Sequence, residues 1–115
     1  MNWALAAVAV GGALGATSRF GVGRLLAAHP GRYATLAVNV AGSFALGVVV
    51  FGGLDSTAAL LFGTGFCGAF TTFSSFSVQT VDLWRDGRRA ASAVNAVGSV
   101  VLAGGAMLAA RLAVG

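Results

Sequence analysis

The chain is predicted to be an all-α membrane protein: four transmembrane helices, the third broken mid-membrane. The first ground is composition: 57% hydrophobic residues against 9% charged in 115 residues, and a mean hydropathy of +0.89. A soluble domain carries about 25% charged residues. The second is segmentation. Four uncharged runs, Trp3 to Ser18, Tyr33 to Leu54, Ser56 to Val81 and Ala90 to Ala110, are each near the length a helix needs to cross a bilayer. The third is Gly68-Ala69-Phe70-Thr71-Thr72-Phe73-Ser74-Ser75-Phe76-Ser77, a block of hydroxyls and phenyls inside an apolar run. Lipid offers hydroxyls no partner, so these side chains are expected to face a protein-lined path or a bound ion.

Taken in order, the elements read as helices over 3–28, 33–54, 56–84 and 89–112 of a single transmembrane domain, 1–115. The first run is short, and reaches Ala28 only if Arg19 snorkels or lines a vestibule. His29-Pro30-Gly31 and Gly52-Gly53-Leu54-Asp55-Ser56 are turn signals, and Arg85-Asp86-Gly87-Arg88-Arg89 closes the third run. The N-terminus lacks the positively charged leading region of a cleaved signal peptide. Eighteen glycines and one proline fit helices whose backbones approach closely.

The net charge of +4 is carried by arginine, with no lysine. In a soluble protein this would point towards nucleic acid; here the arginines sit near run ends and set topology. Arg24 and Arg32 flank the first loop and Arg85, Arg88 and Arg89 the third, against Arg111 on the other side. Positive charge stays in the cytoplasm, so these two loops are expected inside and both termini outside. Cys67, the lone cysteine, reads as a small buried apolar residue. His29, beside Pro30, reads as an exposed loop residue, and no catalytic pair is present; an enzyme is not expected.

Gly63-Thr64-Gly65-Phe66-Cys67-Gly68 matches GxGxxG, but a dinucleotide site needs a strand before it and a βαβ unit around it, and neither is available. The same glycines permit a helix break near Gly68 to Thr71. A broken membrane helix frees carbonyl oxygens that commonly hold a hard cation such as sodium. Close helix packing without a break fits the spacing equally well.

Thr35 and Asn39 share a helix face, as do Phe73 and Phe76, and Asn95 and Ser99. Interhelical hydrogen bonding accounts for such stripes as readily as a pore does. No Asp or Glu lies within the four runs. A proton-coupled or cation-exporting transporter needs an intramembrane carboxylate. Amide and hydroxyl donors with electropositive phenyl edges suit a small anion instead, without choosing between fluoride and chloride.

Gly11-Gly12-Ala13-Leu14-Gly15-Ala16-Thr17-Ser18-Arg19-Phe20, Thr35-Leu36-Ala37-Val38-Asn39-Val40-Ala41-Gly42-Ser43-Phe44 and Gly65-Phe66-Cys67-Gly68-Ala69-Phe70-Thr71-Thr72-Phe73-Ser74-Ser75-Phe76-Ser77 together resemble the Fluc (CrcB) family of fluoride channels, in order and over nearly the whole chain. The resemblance implies passive, fluoride-selective export across the cell membrane that relieves fluoride toxicity, in an antiparallel dual-topology dimer with two pores. It implies a central structural sodium ion that is not transported.

By position, Asn39 and Thr35 resemble the family's pore-lining residues of the second helix, and Phe73 and Phe76 the phenylalanines whose edges contact fluoride. Gly68 and Thr71 resemble the residues whose backbone carbonyls bind sodium. Arg19 resembles the arginine near the vestibule, and Ser99 the serine of the polar track. Asn95 stands where the family often has tyrosine, Ala103 where it has a hydroxyl, Gln79 where a glutamate is common, and Ala69 where glycine is frequent.

The arginine bias conflicts with equal insertion both ways. The partner is thus either a second copy or a homologous chain of opposite bias. The competing class is a small four-helix proton-coupled efflux transporter of small multidrug-resistance type, which would need a carboxylate in its first helix. A purely structural membrane subunit, the remaining class, would need neither stripe.

Overall fold

Proline and glycine punctuation sets the element bounds in the computed structural model, which describes residues 3–115. Met1 and Asn2, which the expected domain includes, lie outside the described residues. Helix α1 runs Trp3–Leu25, α2 Gly31–Phe51, α3 Ser56–Ala59, a π-helical segment Leu60–Cys67, α4 Gly68–Phe70, α5 Phe73–Arg85 and α6 Arg89–Val114. No strand occurs among the described residues. Helices α1, α2 and α6, and the composite Ser56–Arg85, are long and apolar enough to cross a membrane. The chain is a multi-pass membrane protein with an interrupted third span.

Helix α1 stops at Leu25, short of the expected Ala28. The Ala27 amide donates to the Arg24 carbonyl and the His29 amide to Leu26, three-residue bonds that unwind the end. Pro30 keeps the residue before it out of helical geometry. The same proline, at φ −54°, is the N-cap of α2, so α2 begins at Gly31 rather than Tyr33. It ends at Phe51, earlier than the expected Leu54, because Gly52-Gly53 follows and Gly53 takes φ 72°. Asp55 caps α3, its carboxylate accepting from the Ala58 amide at 2.9 Å. Helix α6 reaches Val114, past the expected residue 112.

The π-helical segment was not legible in the sequence. It carries most of the third span's packing on α1, and the contact is backbone against backbone. A Cβ on Gly11 would collide with the Leu61 carbonyl, and one on Gly15 with the Phe66 carbonyl. In return, a Cβ on Gly65 would lie 2.9 Å from the Val8 carbonyl oxygen and 3.0 Å from the Gly11 Cα. Small residues thus set the distance between the two spans, as in other membrane bundles. Helices α2 and α6 pair similarly through Gly47, whose missing Cβ makes room for Ala110 and Met107.

The hydrophobic pattern is that of a protein solvated by lipid. The buried apolar residues are small or few: Ala7, Val38, Cys67, Leu83 and Ala110. Large side chains such as Leu5, Leu14, Val97, Val101 and Leu112 are exposed. At the ends, Arg32 lies over Tyr33, Arg89 over Trp84 and Arg111 over Phe51. Aromatic rings and arginines in that arrangement mark the two interfacial zones.

Replacing Gly11 or Gly15 by valine should cost about 1–3 kcal/mol or more through overpacking, because backbone has to move. The expected outcome is a lower melting temperature in detergent. A Gly98→Val control, where a Cβ meets nothing within 4 Å, should melt unchanged.

Candidate functional site

The third span breaks where its side chains compete with its backbone. Thr71 and Thr72 are extended, at φ −82°, ψ 160° and φ −146°, ψ 120°. The Thr72 amide, which in a continuous helix would donate to the Gly68 carbonyl, donates to Asn39 Oδ1 at 2.8 Å. The Asn39 side chain returns the bond, Nδ2 donating to the Thr72 carbonyl at 3.0 Å. The Ser75 amide, which would otherwise donate to the Thr71 carbonyl, donates to Thr72 Oγ1 at 3.2 Å, so Thr72 is the N-cap of α5. The break therefore removes the regular helical donor from the four carbonyls of residues 68–71, and the Gly68 and Thr71 carbonyls are two of the four.

Those are the residues the resemblance assigns to a cation, and their chemistry fits one: neutral oxygens released from helical bonding suit a hard ion. Among the described residues, no group of three or more His, Cys, Asp or Glu competes for it. Gly68 is exposed, with open space where a Cβ would be. Gly42 lets the break approach α2, since a Cβ there would run into Thr71 Cγ2. Two oxygens from one chain leave a coordination shell open.

A cleft of about 640 Å³ lies along the break. Asn39, Gly68, Thr71, Phe73, Phe76 and Ser99 line it. The Phe73 and Phe76 ring centroids are 6.0 Å apart with planes at 46°; Phe73 is 79% exposed. The wall carries an amide, hydroxyls and phenyl rings, and no carboxylate. The edge of a phenyl ring is the positive part of its quadrupole.

The other expected residues lie elsewhere. Thr35 (7% exposed) and Arg19 share a second cleft, between α1, α2 and α5, together with Ser75. Thr72 lines both clefts, so the break stands between them. Asn95 does not line the main cleft. Its Nδ2 donates to Thr80 Oγ1 at 2.9 Å, and Thr80 Oγ1 donates to the Phe76 carbonyl at 2.8 Å. With Ser92 Oγ donating to the Thr80 carbonyl at 2.7 Å, this network fastens α6 to α5 just below Phe76. Sequence reading missed Thr72, Thr80 and Ser92. For Thr72 a signal existed: a hydroxyl residue three before Ser75 is N-cap spacing. For Thr80 and Ser92 the spacing carries nothing, because their partners are on different helices.

The family described as CrcB-like protein, Camphor Resistance (CrcB), matches residues 6–111. The chain belongs to the CrcB family. It is 51% identical over 96 residues to a Haloarcula marismortui protein named fluoride-specific ion channel FluC 2, covering 84% of this chain and 81% of that one. A Halobacterium salinarum protein named fluoride-specific ion channel FluC 1 is 50% identical over 100 residues, covering 84% and 82%. A Syntrophotalea carbinolica protein named fluoride-specific ion channel FluC is 47% identical over 109 residues, covering 84% and 89%.

Because Asn39 makes both bonds to Thr72, Asn39→Leu should leave a membrane-depth amide and carbonyl unpaired, at about 1–3 kcal/mol. Amide hydrogen exchange should rise at Thr72 and Ser75, and much less in α6. Unchanged exchange would mean the break holds without the brace.

Proposed function

We propose that the chain forms a passive, fluoride-selective channel that lets fluoride leave the cell, relieving its toxicity, as an antiparallel dimer with a structural sodium ion at its centre. The observation that carries this reading is the wall of the main cleft. Asn39, Ser99, Phe73 and Phe76 meet there without a carboxylate. The names of the relatives support fluoride as the ion.

Fluoride is small and holds water strongly, so a path through a membrane has to replace hydration with donors. Asn39 has two amide N–H groups. One is committed to Thr72, and the other is free for the anion. Ser99 contributes a hydroxyl that makes no protein hydrogen bond among the described residues. The Phe73 and Phe76 edges offer C–H groups in sequence along α5, binding an anion without trapping it by full charge. Neutral N–H and O–H donors favour the smallest halide, the strongest hydrogen-bond acceptor of the series. The break aims α5 so that its first turn carries Phe73 and Phe76 beside the cleft.

A cation held by the Gly68 and Thr71 carbonyls would supply positive charge at mid-membrane and a tie between subunits. An antiparallel partner would bring two more such carbonyls and complete the shell. That partner is a second copy or a homologous chain of opposite arginine bias. A proton-coupled transporter is disfavoured by α1, which contains no Asp or Glu.

Purified protein in sodium-containing liposomes should release fluoride rapidly and retain chloride. Equal passage of chloride would end the selectivity claim. Robust flux from this chain alone would establish a second copy as sufficient, and flux only with an oppositely biased homologue would establish the mixed pair. Phe76→Ile should cut fluoride flux by roughly a hundredfold or more, as expected for loss of about 3 kcal/mol of stabilisation, while the dimer still forms. Replacing sodium by a bulky organic cation should abolish flux; flux without sodium would remove the ion from the reading.

A further inference from the structure

The turn that joins α5 to α6 is rigidly built and carries three arginines. It depends on Gly87, at φ 79°, a backbone state that glycine adopts without strain. The Arg88 amide donates to the Leu83 carbonyl at 2.9 Å and the Gly87 amide to the Trp84 carbonyl at 3.1 Å, the paired bonds of a Schellman cap. Arg85, Arg88 and Arg89 are exposed around this turn. The Arg89 guanidinium lies 4.6 Å from the Trp84 ring centroid, and Trp84 is half exposed. Val78 and Val81 are exposed at helical spacing before it, so an apolar ridge on α5 leads up to the arginines.

Retention of positive charge in the cytoplasm accounts for arginines in this loop, and the dipole of α5 accounts for Arg85 in its last turn. Neither accounts for the positions of Arg88 and Arg89. They are the N-cap and the first residue of α6, where the helix dipole is positive and a cation is unfavourable. Helix α6 has no side-chain cap and no acid in its first turn, so no acid there offsets that cost. Asp82 and Asp86 are exposed in the same stretch, yet no arginine of the turn has an ion pair among the described residues. The guanidinium donors are therefore unspent, beside a tryptophan of the kind that sits at headgroup level.

We propose that Arg88 and Arg89, with Arg85 and Trp84, form a headgroup site for an anionic phospholipid. Guanidinium forks match the paired oxygens of a phosphate diester. The Trp84 ring packs at the level of the headgroup, and Val78 and Val81 lie along an acyl chain. A zwitterionic lipid carries the same phosphate but offsets it with its own ammonium, so a net-negative headgroup is preferred. Helix α5 begins at Phe73 and ends in this turn, so the lipid holds the outer end of the helix that flanks the main cleft. The site is independent of which ion the protein conducts.

Trp84 itself reports the lipid. In a Trp3→Phe background it is the sole tryptophan, and a brominated acyl chain beside it quenches its emission. The protein is reconstituted in phosphatidylcholine vesicles holding a small fraction of brominated phosphatidylglycerol, or the same fraction of brominated phosphatidylcholine. Phosphatidylglycerol should quench more, with an enrichment of roughly fivefold per arginine engaged, from the usual effect of one arginine near an anionic surface. Taking the ratio of the two lipids within each variant cancels any change in Trp84 emission. Arg88→Gln combined with Arg89→Gln should bring that ratio close to unity. Arg111→Gln removes the same charge from the other end of α6 and should leave it unchanged. Inorganic phosphate should displace no more lipid than potassium chloride of equal ionic strength. Equal quenching by both lipids in the parent protein would overturn the site, as would a ratio that survives the double substitution or falls as far in Arg111→Gln. Displacement by phosphate alone would assign the arginines to a free anion and overturn the lipid. Should the double variant fail to insert, Arg88→Gln decides: an unchanged ratio overturns the site.

Discussion

The paired hydrogen bonds between the Asn39 side chain and the Thr72 backbone are the constraint on which the site depends. A membrane interior supplies no water to satisfy a broken helix. An amide side chain is the neutral group that can offer a donor and an acceptor together, at the spacing a peptide unit presents. Asn39 does so at 3.0 and 2.8 Å. With that pair in place, Thr72 can cap α5, the Gly68 and Thr71 carbonyls lose their helical donors, and Phe73 and Phe76 enter the cleft at the start of a new helix. A residue that spacing marks as a pore donor is thus first a brace, with one N–H to spare.

Close backbone approach supports this arrangement from the other side. Gly11 and Gly15 of α1 lie against the carbonyls of Leu61 and Phe66, in the π-helical stretch that leads into the break. Wide π turns are uncommon and gather at functional sites. Here the wide turn feeds Cys67 and Gly68 to the break, and Cys67 accepts both the amide and the hydroxyl of Thr71. The two clefts share a wall through a single residue, Thr72. A change there therefore touches two environments at once.

The charged groups divide from this machinery by depth. The described carboxylates lie at helix ends: Asp55 at the cap of α3, and Asp82 and Asp86 near the end of α5. Desolvating a carboxylate mid-membrane would be costly, and it would repel an anion. Neutral donors avoid both effects.

Four membrane spans, the position of the break and the residue types of the wall were legible in the sequence, since each follows from local chemistry. Apolar run length sets a span, Pro30 and Gly53 set turns, and hydroxyls beside glycine weaken a helix. The motifs added the family, and with it Asn39, Phe73, Phe76, Gly68, Thr71 and Ser99 as one set. Only the tertiary structure decided which partners those groups take. Spacing puts Thr35 beside Asn39 on one face, yet Thr35 lines the second cleft with Arg19 while Asn39 is held by Thr72. Asn95 shares a face with Ser99, yet it is tied to Thr80 of another helix. The π-helical stretch likewise lies backbone to backbone against α1, a contact that local periodicity does not report. A hydrogen bond between residues 33 apart leaves no trace in local periodicity, because its energy depends on two helices first being brought together.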